Sequence, residues 1–146
     1  MIRKEVQGVV YRIKNKRKEF LLMLRKKHWI GYEFVKGGIE KNETPEKAII
    51  RELEEEAGVS KSNILSLLPT FIKMRVDYPS NFISKNYSGA VFKTFIVKIK
   101  SRSKIRIDSG EHNGYCWVSD KDVLKVVWRK NLKRVFTECL KQLKYF

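Results

Sequence analysis

The segment from Thr44 to Gly58 constrains this chain more than any other. Thr44 is a residue type that caps helix N-termini, and Pro45 sits where a first helical turn tolerates proline. Gly58 stands where a left-handed residue ends a helix. A helix over about 45–57 is predicted. At roughly 100° per residue, Ile49, Ile50 and Ala57 fall within about 60° of Leu53 and form a narrow apolar stripe. Glu56, Glu52 and Glu55 follow at about −60°, −100° and −160°, a second stripe beside the first. Glu54 lies about 100° to the other side and cannot join them, whereas Arg51 is within pairing reach of Glu55 at i and i+4.

One face of this helix therefore enters a core while its edge presents three carboxylates. Like charges three and four residues apart destabilise a helix, so the arrangement asks for a cation. Hard divalent ions such as Mg²⁺ take carboxylate oxygens and keep several waters, which suits holding phosphate oxygens and activating water. Residues 33–56 carry eight acids and four bases, a net of −4 in a chain of net +16, so the remainder carries +20. A basic surface around an acidic island suits a polyanionic ligand, and charge alone does not separate a nucleotide from a nucleic acid. Upstream of the helix, Gly37 and Gly38 permit close backbone approach, positive φ or both, and carbonyls there can face a metal. Lys36 beside them can reach a phosphate.

The rest of the chain supports a layered α/β (α+β) domain occupying 1–146. Strands are predicted at Val6 to Ile13, Phe20 to Leu24, Leu67 to Val76, Ala90 to Ile99 and Tyr115 to Val118. Lys14 to Lys18 reads as a polar turn. Ser119 or Asp120 caps a helix running to about Val127, and Leu132, Val135, Phe136, Cys139, Leu140 and Leu143 give a last amphipathic helix. Trp117 and Trp128 read as core, and His28 and His112 as loop or surface histidines. Arg25, ending a buried strand, suits a phosphate contact or an ion pair. The basic runs Lys14 to Lys18 and Lys98 to Arg106 read as solvated faces or nucleic-acid contacts. Cys116 and Cys139 have neither paired zinc spacing nor a disulfide framework. With no apolar run near the ~20 residues of a membrane span and no signal-peptide pattern, a cytoplasmic protein with no membrane partner is expected.

Gly37, Glu43, Arg51, Glu52, Leu53, Glu55, Glu56, Gly58 and Val59 together match G-x5-E-x7-R-E-U-x-E-E-x-G-U, with U aliphatic. Residues 37–59 thus resemble the box of the Nudix hydrolases, and the elements on either side resemble that fold, a mixed central sheet sandwiched between helices. The resemblance implies that Glu52, Glu55 and Glu56, with the Gly37 carbonyl, bind Mg²⁺ or Mn²⁺. Arg51 and Glu43 would orient that carboxylate set. Glu111, in an E-H-x-x-Y-x-W-V-like stretch, resembles a further metal-binding or general-base glutamate of the family.

Flanking residues bear on substrate. Phe34-Val35-Lys36-Gly37-Gly38 resembles the W-x-F-P-K-G entry of asymmetric diadenosine tetraphosphate hydrolases, with Tyr32 at the Trp position and Val35 for Pro. Val126 to Asn131 resembles their stretch before the final helix, and Asn113-Gly114 departs from their usual acidic spacing. In that subfamily a tyrosine past the box stacks on a base, and Tyr78 and Tyr87 are the candidates here. The expected reaction is metal-dependent hydrolysis of a phosphoanhydride in a dinucleoside polyphosphate, releasing ATP and AMP from diadenosine tetraphosphate. Removal of pyrophosphate from RNA 5′ ends, motivated by the +16 charge, and nucleoside triphosphate pyrophosphatase activity stay open. From a different class, a binding module without turnover would share the fold, but the intact box argues for catalysis.

Overall fold

Alternating β-branched and aromatic residues build one sheet, and the two periodicities of the chain cover both of its faces. The computed structural model describes residues 1–26, 30–79, 86–108 and 110–144. In order the elements are β1 (Ile2–Lys14), β2 (Arg17–Arg25), β3 (Gly31–Glu33), β4 (Val35–Gly38), α1 (Pro45–Ala57), β5 (Ile64–Asp77), β6 (Gly89–Ile99), β7 (His112–Ser119), α2 (Val123–Val126) and α3 (Lys130–Leu143). The strands run β3-β2-β1-β6-β5, with β4 also paired to β1 and β7 to β2. The pairing of β1 with β6 is parallel and the other pairings are antiparallel, so the sheet is mixed.

Period-2 alternation divides each central strand between two cores. Val6 and Val10 of β1, Leu21 and Met23 of β2, and Phe95 and Val97 of β6 pack under Ile49 and Leu53 of α1. Val9, Phe20, Phe92 and Ile96 face the other way, onto Val135, Phe136 and Cys139 of α3. Phe136 anchors that side, meeting Phe20 edge-on at 4.8 Å between ring centres. The predicted sandwich of sheet between helices is what forms.

The helix over 45–57 matches its prediction. Thr44 accepts a hydrogen bond from the Lys47 N–H, and Gly58 closes the helix at φ 68° with its N–H donating to the Glu54 carbonyl. The turn after β1 places Asn15 and Lys16 at φ 52° and 66°, joining β1 to β2 as a tight hairpin.

Gly37 and Gly38 lie at the end of β4, paired with Val6 and Glu5, and a short loop separates them from α1. Several expectations need correction. The helix expected from Ser119 or Asp120 is one turn long, because Ser119 bonds Asp122 and the turn starts only at Val123. Trp128 follows that turn and is 56% exposed rather than core, its indole lying over Gly31. Trp117 is half-buried, with the Arg12 guanidinium 3.9 Å above its ring. His112 is fully buried on β7. His28 lies outside the described residues. No helix among the described residues is long and apolar enough to cross a membrane.

Candidate active site

Packing α1 on β4 decides where the acids go. The apolar stripe of α1 is buried, so the stripe beside it is drawn inward, and Glu52 and Glu56 are carried into the interior while Glu55 stays 56% exposed. The three acids share one side of the helix, as the wheel requires, at different depths. They open into a cleft of about 940 Å³ with Gly37, Lys36, Arg25, Tyr78 and Glu111 also on its walls. Tyr87 is half-buried and does not line it.

Arg51 is the hub of the helix face. Its Nε and Nη2 donate to the two oxygens of Glu43, both at 2.9 Å. Its Nη1 reaches Glu52 at 2.8 Å and Glu55 at 3.2 Å, and Nη2 also donates to the Gly38 carbonyl at 2.8 Å. The Arg51 hydrogen bonds hold the Glu43 carboxyl down at about 2. Glu52 thus presents one oxygen to Arg51 and sits against the backbone of Gly37. A Cβ at Gly37 would overlap the Glu52 carboxylate, so only glycine permits this approach. The need at Gly37 is room, since among the described glycines only Gly58 has positive φ.

Burial raises Glu52 to about 7, with Arg51 pulling against it and Glu55 and Glu111 adding to it. Burial likewise raises Glu56 to about 9, reinforced by the charges of Glu52 and Glu111, although the Lys36 backbone N–H donates to it at 3.4 Å. Carboxylates that push one another towards protonation form a site short of positive charge, and a divalent cation answers that need. No group of three or more His, Cys, Asp or Glu among the described residues is gathered tightly enough to hold an ion alone.

A second group of charges went unread in the sequence. Glu33, at the end of β3, is buried and bonds Arg25 at 3.1 Å, His112 Nε2 at 3.3 Å and Lys36 at 3.6 Å. Burial alone would raise its carboxyl, but the His112 hydrogen bond and the two cations outweigh it and leave it lowered. Arg25 is thus an ion-pair member that also walls the cleft. Glu33 joins the two cations on the cleft wall to β7, next to Glu111. Asp108, two residues beyond Arg106, also enters the cleft, because the Arg106 and Asp108 N–H groups bond the Ala57 and Glu56 carbonyls and strap that loop to the end of α1. The one available signal for Glu33 was a lone acid in the apolar run Tyr32 to Val35.

A model of the NUDIX domain matches residues 3–139. The chain belongs to the NUDIX family. As a Nudix hydrolase it has relatives of known name. It is 33% identical over 137 residues to an RNA pyrophosphohydrolase from Nitratiruptor sp., covering 90% of this chain and 87% of that one. It is 31% identical over 121 residues to an RNA pyrophosphohydrolase of Campylobacter jejuni, covering 79% and 72%. Its fold is also that of a solved Ap4A hydrolase binary complex from C. elegans, with TM-score 0.80 at 21% identity over 99% of this chain and 100% of that one. Nudix hydrolases of this kind are pyrophosphohydrolases and generally use divalent ions.

Proposed function

We propose that this Nudix hydrolase removes pyrophosphate from the 5′ end of triphosphorylated RNA. The observation that carries this reading is the division of charge: an acidic centre in the cleft, and +20 on the remainder of the chain. A small dinucleotide needs cations only at the cleft, whereas an RNA strand leaving it meets phosphate after phosphate and uses a basic surface. Relatedness over most of its length to proteins named RNA pyrophosphohydrolase supports the same reading.

Glu52, Glu55, Glu56 and Glu111, with the Gly37 carbonyl, hold Mg²⁺ or Mn²⁺ in this scheme. A bound divalent ion would neutralise charge building on the phosphate oxygens and make a nearby water more acidic. Arg51, fixed by Glu43, sets the direction of the Glu52 carboxylate. Lys36 and Arg25, also on the cleft, meet the phosphates, and Glu33 keeps both from swinging away. A carboxylate of this set, Glu111 or one of α1, takes the proton of the attacking water. Tyr78 lies on the cleft where a base could stack, and Tyr87, off the cleft, is the weaker candidate.

A second reading, hydrolysis of diadenosine tetraphosphate, is favoured by the entry segment and by Tyr78. The comparison of kcat/KM for a 5′-triphosphorylated oligoribonucleotide, diadenosine tetraphosphate and a nucleoside triphosphate, with Mg²⁺, separates them. RNA is expected to lead by about tenfold or more, a difference of about 1.4 kcal/mol in transition-state binding. A lead for the dinucleotide would replace the first reading with the second.

A further inference from the structure

The edge strand β5 carries a feature the catalytic site does not use. Between Pro69, opposite Phe95, and Lys73, opposite Lys93, its register with β6 shifts. Three residues of β5 there face only Thr94, which makes a bulge. The bulge is tied down from inside. Thr70 is buried and its hydroxyl donates to the Thr94 carbonyl at 2.8 Å, while Lys93 donates to the Thr70 carbonyl at 3.0 Å. With Thr70 turned in, Phe71 is turned out and is 98% exposed. Lys93 Nζ stands over its ring at 5.8 Å. An aromatic side chain held in solvent by an anchored bulge is a different matter from a scattered surface apolar residue.

Phe71 and Lys73 border a depression of about 450 Å³ whose other wall is α3, with Arg134, Glu138 and Lys141. The two walls are stitched together, since Arg134 donates to the Lys73 carbonyl at 2.6 Å and Gln142 to the Pro69 carbonyl at 3.2 Å. This seam continues the catalytic cleft. Met74 of β5 and Leu132 of α3 line the cleft, while Lys73, beside Met74, and Arg134, two residues past Leu132, line the seam. From Leu132 to Lys141 the helix advances roughly 13 Å.

We propose that the β5–α3 seam is the path of the RNA strand leaving the cleft, with Phe71 as a platform on which a base stacks. This rests on the RNA reading of the active site. An exposed aromatic ring flanked by cations is the recurrent form of sequence-tolerant single-strand binding. Four cations, Lys73, Lys93, Arg134 and Lys141, face one acid, Glu138, which Lys141 itself pairs at 3.3 Å. That excess suits a polyanion and sets two copies of the chain against each other.

Phe71→Ala, Lys73→Ala and the wild type decide it with three probes. These are a 5′-hydroxyl oligoribonucleotide of about ten nucleotides, the same strand 5′-triphosphorylated, and a nucleoside triphosphate. Phe71 has no buried surface to lose, so the variant folds as the parent does. Phe71→Ala is expected to weaken binding of the hydroxyl strand about tenfold and to raise KM for the triphosphorylated strand alike, with KM for the nucleoside triphosphate unchanged. Lys73→Ala should lower the slope of log affinity against log salt by about 0.7. Unchanged strand binding by Phe71→Ala overturns the proposal. So does loss of self-association in sedimentation with strand binding intact, which would assign the face to a second copy. A wild type that binds the hydroxyl strand through Phe71 but does not hydrolyse the triphosphorylated one would sink the RNA pyrophosphohydrolase reading and leave the path standing.

Discussion

Glu56→Gln is expected to lower kcat by about three orders of magnitude while the fold is kept or stabilised. The two effects have one cause. Glu56 is buried beside Glu52 and Glu111, and its carboxyl is pushed up to about 9. Glutamine keeps the shape and the contact with the Lys36 N–H but removes the charge that the ion site needs. Without metal, a carboxyl raised in the folded state costs stability as pH climbs from its unfolded value, about 4.5, towards 9, because the folded state must hold the proton or bear the charge. The metal-free wild type should therefore lose stability across that window, and the variant should lose less. Thermal melts from pH 5 to pH 9 in chelator, beside steady-state rates in Mg²⁺, read both. Nucleotide binding without metal should survive. A variant with wild-type turnover would remove Glu56 from the site.

Gly37→Ala is expected to cost about two orders of magnitude in kcat from a single methyl group. The new Cβ would overlap the Glu52 carboxylate, which is held from the other side by Arg51 at 2.8 Å. Neither neighbour can yield without moving the carboxylate, and displacing a reacting-site group by about 1 Å is worth ~100-fold. Gly38→Ala is the matched control. The atoms nearest its Cβ would be those of the Arg3 guanidinium, the far end of a flexible side chain, so a much smaller loss is expected. Equal losses in the two variants would mean that strand β4, and not Glu52, responds to the methyl group.

The difference between what could and could not be read from the residues follows from how far each signal reaches along the chain. Helix α1 was legible end to end because its start and stop are local: Thr44 caps it, Gly58 ends it and the wheel assigns its faces. The Arg51–Glu55 pair was legible for the same reason, as both lie on one helix. The Glu33 cluster was not, because its bonds to Arg25 and His112 cross from β3 to β2 and β7, and His112 lies 79 residues away. Trp128 misled because the apolar run Val126-Val127-Trp128 suggests continuous burial. Val127 is buried, but the chain leaves the helical turn there in an extended conformation and the indole turns outward. Phe71 was invisible because alternation along β5 predicts a face for each residue only while the register holds, and the bulge breaks it. The placement of Gly37 beside Glu52 sits between these cases. The box supplies both residues, but the reason for the glycine, room for a carboxylate across from a strand, is three-dimensional.

The account stands or falls on carboxylates of α1 gathering a divalent ion, and a Mn²⁺ titration with proton release followed in the same vessel tests that most directly. Near pH 7.5 the wild type should bind Mn²⁺ with release of protons, because Glu52 and Glu56 sit at about 7 and about 9 before binding. Glu56→Gln should bind far more weakly and release fewer protons. Equal Mn²⁺ affinity and proton release in the two proteins would contradict the account.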